Sequence, residues 1–344
     1  MIHGGDVLTY KHLYDGEIMD FSSNINPLGY PTCLKEAIFS GLDEITRYPD
    51  IKYRRLRKNI GEYLGCSPDE VIVGNGAVEI IDGITGMFNR VVVVVPCFME
   101  YILRPGVLGK EVVKVGLNED FSINEVALLD VVREGDLILL GNPNNPTGRR
   151  IDKDILIRIQ KYAEERGAFL LLDEAFYEFC PLDYDSIELF NGSKNVCIIR
   201  AATKFFGLPG IRLGYAYADK SIVKSFDERA LPWSINAFAD AASDCIFKDK
   251  DFIEKSKKYI DEQRRYVTGE FKKIKTIKIF ETSTNFMLIK LLKGNEDDLF
   301  EFMIKRGIMI RKASSFYGLD KSYVRIAIKD EERNKYLVEC FKEY

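Results

Sequence analysis

Between residues 71 and 218 the chain repeats one pattern: a short apolar, strand-prone run followed by a longer polar or amphipathic stretch. The runs fall at 71–73, 91–95, 112–115, 137–140, 169–172, 196–199 and 213–218. A strand with one wet face alternates apolar and polar residues, whereas these runs are apolar throughout and therefore read as buried on both faces. Strands of that kind, separated by helical stretches, fold into a mostly parallel sheet covered by helices. The expected fold class is α/β with a seven-stranded sheet. Functional side chains in such sheets collect at strand ends and in the loops beyond them. Asn142, Asp173 and Thr203 all stand there.

Beyond about residue 233 the pattern changes. A charged helical stretch, 251–273, precedes strand-like segments at 277–280, 284–289, 308–311 and 323–328, with a helical segment at 297–306. This is an α+β pattern, and residues 32–42, with helical spacing, are expected to pack with it. The chain of 344 residues exceeds the usual size of one domain. The expected organisation is an N-terminal arm over 1–30, a large domain over 46–232, and a small domain built from 31–45 and 233–344.

Composition excludes several classes. A net charge of -4 leaves no basic stripe for nucleic acid. The longest apolar runs are strand-sized, far short of the ~20 residues needed to cross a bilayer. The opening residues lack the basic and apolar regions of a signal peptide. Seven cysteines, an odd number with no C-x-x-C pair, and only two histidines support neither a disulfide framework nor a zinc cluster. These features predict a soluble cytoplasmic protein with a small-molecule partner, and neither a membrane nor a nucleic acid.

The chemistry centres on Lys204, in the segment Ala-Ala-Thr-Lys-Phe-Phe-Gly-Leu-Pro-Gly-Ile-Arg-Leu-Gly-Tyr over 201–215. A lysine ahead of a Gly/Pro-rich turn, with an arginine beyond it, suits an amine that forms an imine beside a bound phosphate; alone, it also fits a surface lysine. Lysine has an ordinary pKa of about 10.4, so an imine-forming lysine needs a site that favours its neutral form. Asp173 ends an apolar run and offers a fixed anion for a ring cation, although such a position also suits a helix N-cap. The string Gly-Asn-Pro-Asn-Asn-Pro-Thr-Gly over 141–148 makes a rigid turn with amide donors. The run at 71–73 leads into Gly-Asn-Gly-Ala-Val-Glu, a strand-to-helix turn whose free N–H groups suit a phosphate. Glu79 stands where a dinucleotide fingerprint requires glycine, which disfavours a nucleotide-binding dehydrogenase.

Together these motifs resemble the fold-type I pyridoxal-phosphate enzymes of the class I/II aminotransferase superfamily, over nearly the whole chain. The resemblance implies a large domain and a smaller α+β domain, a homodimer and pyridoxal 5'-phosphate as cofactor. It implies that Lys204 carries the cofactor aldehyde, that Asp173 pairs with the ring nitrogen, and that Asn145 bonds the ring oxygen. Phe98 then stacks on the ring, and Gly76, Ala77, Val78, Thr203 and Arg212 hold the phosphate, with Tyr48 reaching the phosphate of the neighbouring subunit. Arg325 grips a substrate carboxylate; Arg311, fourteen residues earlier, is expected to join it there or to bind a second anionic group.

Within the family, threonine-phosphate decarboxylases and histidinol-phosphate aminotransferases are the similar groups, and both handle a phosphorylated amine. His3-Gly4-Gly5, the segment 20–29, Phe98 with Glu100-Tyr101, Phe176 after Asp173, and the segment 310–319 resemble the decarboxylases. In that group the residues matching His3, Gly4 and Asn24 approach the substrate. Ala201 departs from the family pattern, which commonly has a hydroxyl residue on the phosphate. A ligand-binding regulator of the same fold is disfavoured because it would usually carry an added DNA-binding segment.

Overall fold

The computed structural model describes residues 3–181 and 183–344, so positions 1 and 2 of the expected arm lie outside the described residues. A short strand β1 (Met19–Asp20) precedes the large sheet. The seven apolar runs become β2 (Val71–Asn75), β3 (Arg90–Val95), β4 (Glu111–Gly116), β5 (Leu137–Gly141), β6 (Phe169–Asp173), β7 (Val196–Ala201) and β8 (Leu213–Ala218). Their spatial order is β2-β8-β7-β6-β5-β3-β4.

All neighbours run parallel except β8, which is antiparallel to both β2 and β7. The reason lies in the connection: a parallel partner needs a crossover of about a dozen residues or more, usually helical. The short turn-rich segment 202–212, which carries Lys204, provides none and returns the chain beside β7. In the centre of the sheet, Asp173 is in register with Gly141 on one side and Ile199 on the other.

Successive side chains divide between the two faces of the sheet. Val92, Val94, Ile138, Leu140, Leu170 and Leu172 join one apolar core with Leu156 and Ile159 of the helix Lys153–Glu165. Val91, Val93, Leu137, Leu139 and Leu171 join another with Ile80 and Ile84 of the helix Ala77–Thr85. This two-sided burial is what continuous apolar runs require.

The C-terminal part builds a second sheet from β9 (Ile277–Ile279), β10 (Phe286–Leu291), β12 (Arg311–Lys312) and β13 (Tyr323–Ala327), in the order β12-β13-β10-β9 and antiparallel throughout. The run expected as one strand at 308–311 divides. Strand β11 (Ile308–Met309) pairs in parallel with β1, and only Arg311 and Lys312 enter the four-stranded sheet. The charged stretch forms the helix Lys250–Phe271, which shares a core with this sheet through Val267, Phe271, Met287 and Ile289. The segment Leu34–Gly41 is helical and lies against the helix Ala237–Ile246, where a side chain at Gly41 would press on Ala241. Among the described residues no helix is long and apolar enough to cross a membrane, and no acidic, His and Cys cluster has metal-site geometry.

Candidate active site

A cavity of about 670 Å³ opens where the loops after β2, β3, β5, β6 and β7 meet Arg311, Arg325 and the N-terminal arm. Lys204 and Asp173 both line it.

Lys204 is half-buried. Burial pushes its amine down to about 8, and the nearby cations of Arg325, Arg212 and Lys329 add to this, while the Asp173 carboxylate opposes it. At pH 7 about a tenth of such an amine is neutral, against well under a thousandth at the ordinary value. This is the condition that nucleophilic use of a lysine demands.

Asp173 ends β6 and is 7% exposed. The Tyr101 hydroxyl donates to its Oδ2 at 2.7 Å, and the Ala175 amide donates to its Oδ1 at 2.9 Å. Burial raises its pKa; these two donors and the charge of Lys204 lower it. The N-cap alternative does not hold, because the next helical turn, Tyr177–Phe179, is preceded by Phe176 and has no side-chain cap. Glu174 lies in a separate buried network with Arg200 at 3.0 Å, Asn142 at 2.9 Å and Ser186 at 2.5 Å.

The strand-to-helix turn after β2 is shaped by Gly76. Its φ is +80°, and a Cβ there would sit 2.3 Å from Arg212 Nη2, so the guanidinium lies directly on the turn. The helix Ala77–Thr85 has no side-chain N-cap bond, and Ala77 and Val78 line the cavity with Thr203 and Arg212. Free N–H groups at a helix start, together with a guanidinium and a hydroxyl, form a cup for a phosphate.

Phe98 and Asn145 line the same cavity. Asn145 Oδ1 accepts from Arg325 Nη1 at 2.5 Å, which leaves the amide NH2 as its donor. Arg325 also donates through Nη2 to Ser22 O at 2.6 Å, and its buried Nε has no partner among the described residues. Arg311 is directly across the sheet from it. Burial and the Arg311 charge press Arg325 down to about 9, and burial presses Arg311 to about 10. Guanidinium groups stay charged at neutral pH. The pair, walled by Phe316 and Phe286, is a place made favourable for an incoming carboxylate.

The arm closes the other side. His3 and Gly4 line the cavity; His3 Nε2 is 3.1 Å from Glu100 Oε1 and its ring leans on Phe98. Asn24, 2% exposed, presents Oδ1 with no partner among the described residues. Thus the expected set converges on one cavity, with Gly76 directly behind its wall. Tyr48 does not line it: the residue is 81% exposed and its ring packs on Trp233 at 4.8 Å. Sequence reasoning had assigned no role to Tyr101, Asp20 or Ser22, whose contacts depend on elements distant in the chain or on ordinary polar residue types.

The model of the aminotransferase class I and II family matches residues 16–341. The chain belongs to this family. A Caldanaerobacter subterraneus subsp. tengcongensis protein named "Putative threonine-phosphate decarboxylase" is 40% identical over 99% of this chain and 93% of its own length. The threonine-phosphate decarboxylase of Salmonella typhimurium is 28% identical, covering 99% and 95%. The solved histidinol-phosphate aminotransferase of Clostridium acetobutylicum superposes with a TM-score of 0.90 at 37% identity, covering 94% of this chain and 98% of that one. As a member of the aminotransferase class I and II family the chain is an enzyme, and its cofactor is pyridoxal 5'-phosphate. The cavity fits that group: an amine poised near neutrality, a buried carboxylate for a ring cation, an aromatic wall and an anion cup lie together.

Proposed function

We propose that the protein is an L-threonine-O-3-phosphate decarboxylase of cobalamin biosynthesis, acting as a cytoplasmic homodimer. The observation that carries this reading is the meeting of the N-terminal arm with the arginine pair in one cavity, which suits a short substrate anionic at both ends. Likeness to the Caldanaerobacter and Salmonella proteins supports it. Seven free thiols suit a reducing compartment.

Bound pyridoxal phosphate supplies an electron sink for the pair left on the substrate α-carbon. Asp173 holds the proton on the ring nitrogen by its charge; Asn145 and Phe98 hold the ring, and Gly76, Ala77, Val78, Thr203 and Arg212 hold the phosphate. Lys204 anchors the cofactor, then gives or takes the proton at the α-carbon. Arg325 grips the α-carboxylate in two-pronged fashion, with Arg311 alongside, while His3, Gly4 and Asn24 meet the side-chain phosphate. The grip of Arg325 and Arg311 would decide which bond of the α-carbon is given up: loss of the carboxylate would release CO2, and removal of the hydrogen by Lys204 would lead to transamination instead.

Histidinol-phosphate aminotransferase is the second reading, supported by the 37% identity to the Clostridium acetobutylicum structure. The test incubates the purified holoenzyme with O-phospho-L-threonine and measures CO2, beside histidinol phosphate plus 2-oxoglutarate assayed for glutamate. Release of CO2 in the first mixture is expected. Glutamate in the second without CO2 in the first overturns the assignment.

A further inference from the structure

Residues 20–26 form a strap between the strand that carries Arg325 and the loop that carries Lys204. Four successive carbonyls are held. Phe21 O accepts from Ala327 N at 2.7 Å, Ser22 O from Arg325 Nη2 at 2.6 Å, Ser23 O from Lys329 Nζ at 3.0 Å, and Asn24 O from Asn285 Nδ2 at 3.0 Å. At the far end Asn26 N donates to Lys204 O at 3.0 Å and Asn26 Nδ2 to Phe205 O at 2.8 Å.

Inside the strap, Asp20 orients Ser22. Its Oδ1 accepts from Ser22 N at 2.8 Å and from the Ser22 hydroxyl at 2.6 Å, and its carboxylate also receives the amide and hydroxyl of Ser23. A serine hydroxyl has one proton, and here Asp20 takes it, so the oxygen that remains can only accept. It accepts from Gly5 N at 2.8 Å. The arm lies flat on this contact: a Cβ at Gly4 would fall 2.1 Å from Ser22 O. Ser22 is fully buried, yet it touches both ends of the cavity, the arm through its hydroxyl and Arg325 through its carbonyl.

We propose that Ser22, oriented by Asp20, is a substrate-positioning residue that fixes the arm relative to Arg325. The span between the carboxylate grip and His3-Gly4 then selects amino acids with a phosphorylated side chain over those without one. This rests on the reading above, in which the arm meets the substrate phosphate.

Ser22→Ala keeps the size and removes the acceptor; Gly4→Ala lifts the arm from the opposite side and serves as the second variant. In the holoenzyme both are expected to speed hydrogen exchange in the N-terminal peptide around Gly5. Loss of one such bond is expected to raise KM for O-phospho-L-threonine about tenfold with kcat within about twofold. KM for L-threonine, which lacks the phosphate, is expected to stay unchanged. Folding is checked by circular dichroism, and His3→Ala is run in parallel. If Ser22→Ala leaves exchange at the arm unchanged, or leaves KM unchanged while His3→Ala raises it, the proposal is overturned and the arm's contact with substrate stands. If His3→Ala leaves KM unchanged although CO2 is released, the arm does not read the phosphate and the proposal falls with the decarboxylase assignment intact. Absence of CO2 from the wild-type enzyme marks failure of that assignment instead.

Discussion

Single residues carry the clearest signs of chemistry. The unfolded Lys204 amine has a pKa of about 10.4, and the folded one is pressed to about 8 by burial and by neighbouring cations. Across that window the unfolded chain holds the proton and the folded chain does not, so this group's contribution to stability rises with pH from about 8 to 10.4; below 8 its penalty is constant. Cofactor-free Lys204→Met is therefore expected to be more stable than wild type at pH 7 by about 1–2 kcal/mol, allowing for partial exposure of the lysine. The difference should vanish towards pH 10.5 in denaturant melts. Equal stability of the two proteins at pH 7 would sink this account of the lysine. Tyr101 makes a second case: it donates to Asp173, and Tyr101→Phe removes a bond that favours the carboxylate. The Asp173 pKa should then rise, moving the acid limb of kcat/KM to higher pH and lowering kcat by about two- to tenfold. An unmoved acid limb would refute the coupling. Lys204 and Asp173 were legible in the sequence because each sits beside a turn or strand end of distinctive composition. Tyr101 was not, since only the fold brings it to Asp173 from 72 positions away.

At the scale of elements, what reads most directly is what burial dictates locally. All seven apolar runs are strands, and the helices at 34–41, 250–271 and 296–304 lie within a few residues of their expected bounds. The pairings were harder, because periodicity says which faces are buried and nothing about partners. The antiparallel insertion of β8 follows from a short connection, and the division of 308–311 follows from β1 claiming β11. The closing helix Glu331–Glu343 was not foreseen: its charged face hides the buried stripe of Leu337, Val338 and Phe341. The turn joining β2 to the helix Ala77–Thr85 was legible through its glycines, and it carries a prediction. In Gly76→Ala a methyl group meets the Arg212 guanidinium on a backbone of positive φ, so both the helix start and the arginine must shift. Cofactor affinity should fall at least tenfold, with stability lower by about 1–3 kcal/mol. Fluorescence titration of the apoenzyme with pyridoxal phosphate and a thermal melt test both, and unchanged affinity would show that this turn is not the phosphate cup.

For the whole molecule, one expected residue has no part in the cavity of its own chain. Tyr48 is exposed and its ring packs on the half-exposed Trp233, while Phe39, Ile45, Ile51 and Leu231, of its own or neighbouring segments, also show large apolar exposure. If Tyr48 serves the phosphate cup of a second copy, each site in a symmetric dimer draws Lys204 from one chain and Tyr48 from the other. That arrangement has a consequence no monomer shares. Lys204→Ala lacks the reacting amine, and Tyr48→Ala lacks the partner's contact, so each homodimer has two defective sites. When the two variants are mixed, unfolded and refolded together, half of the dimers are mixed. Each mixed dimer holds one site with both residues intact and one with neither, so about a quarter of all sites, and of wild-type activity, should return. The assay is run at a cofactor concentration where Tyr48→Ala alone is inactive. Recovery no greater than that of the separately refolded variants, with a dimer seen by sedimentation, would place Tyr48 outside the site. A sedimenting monomer would remove the shared site altogether.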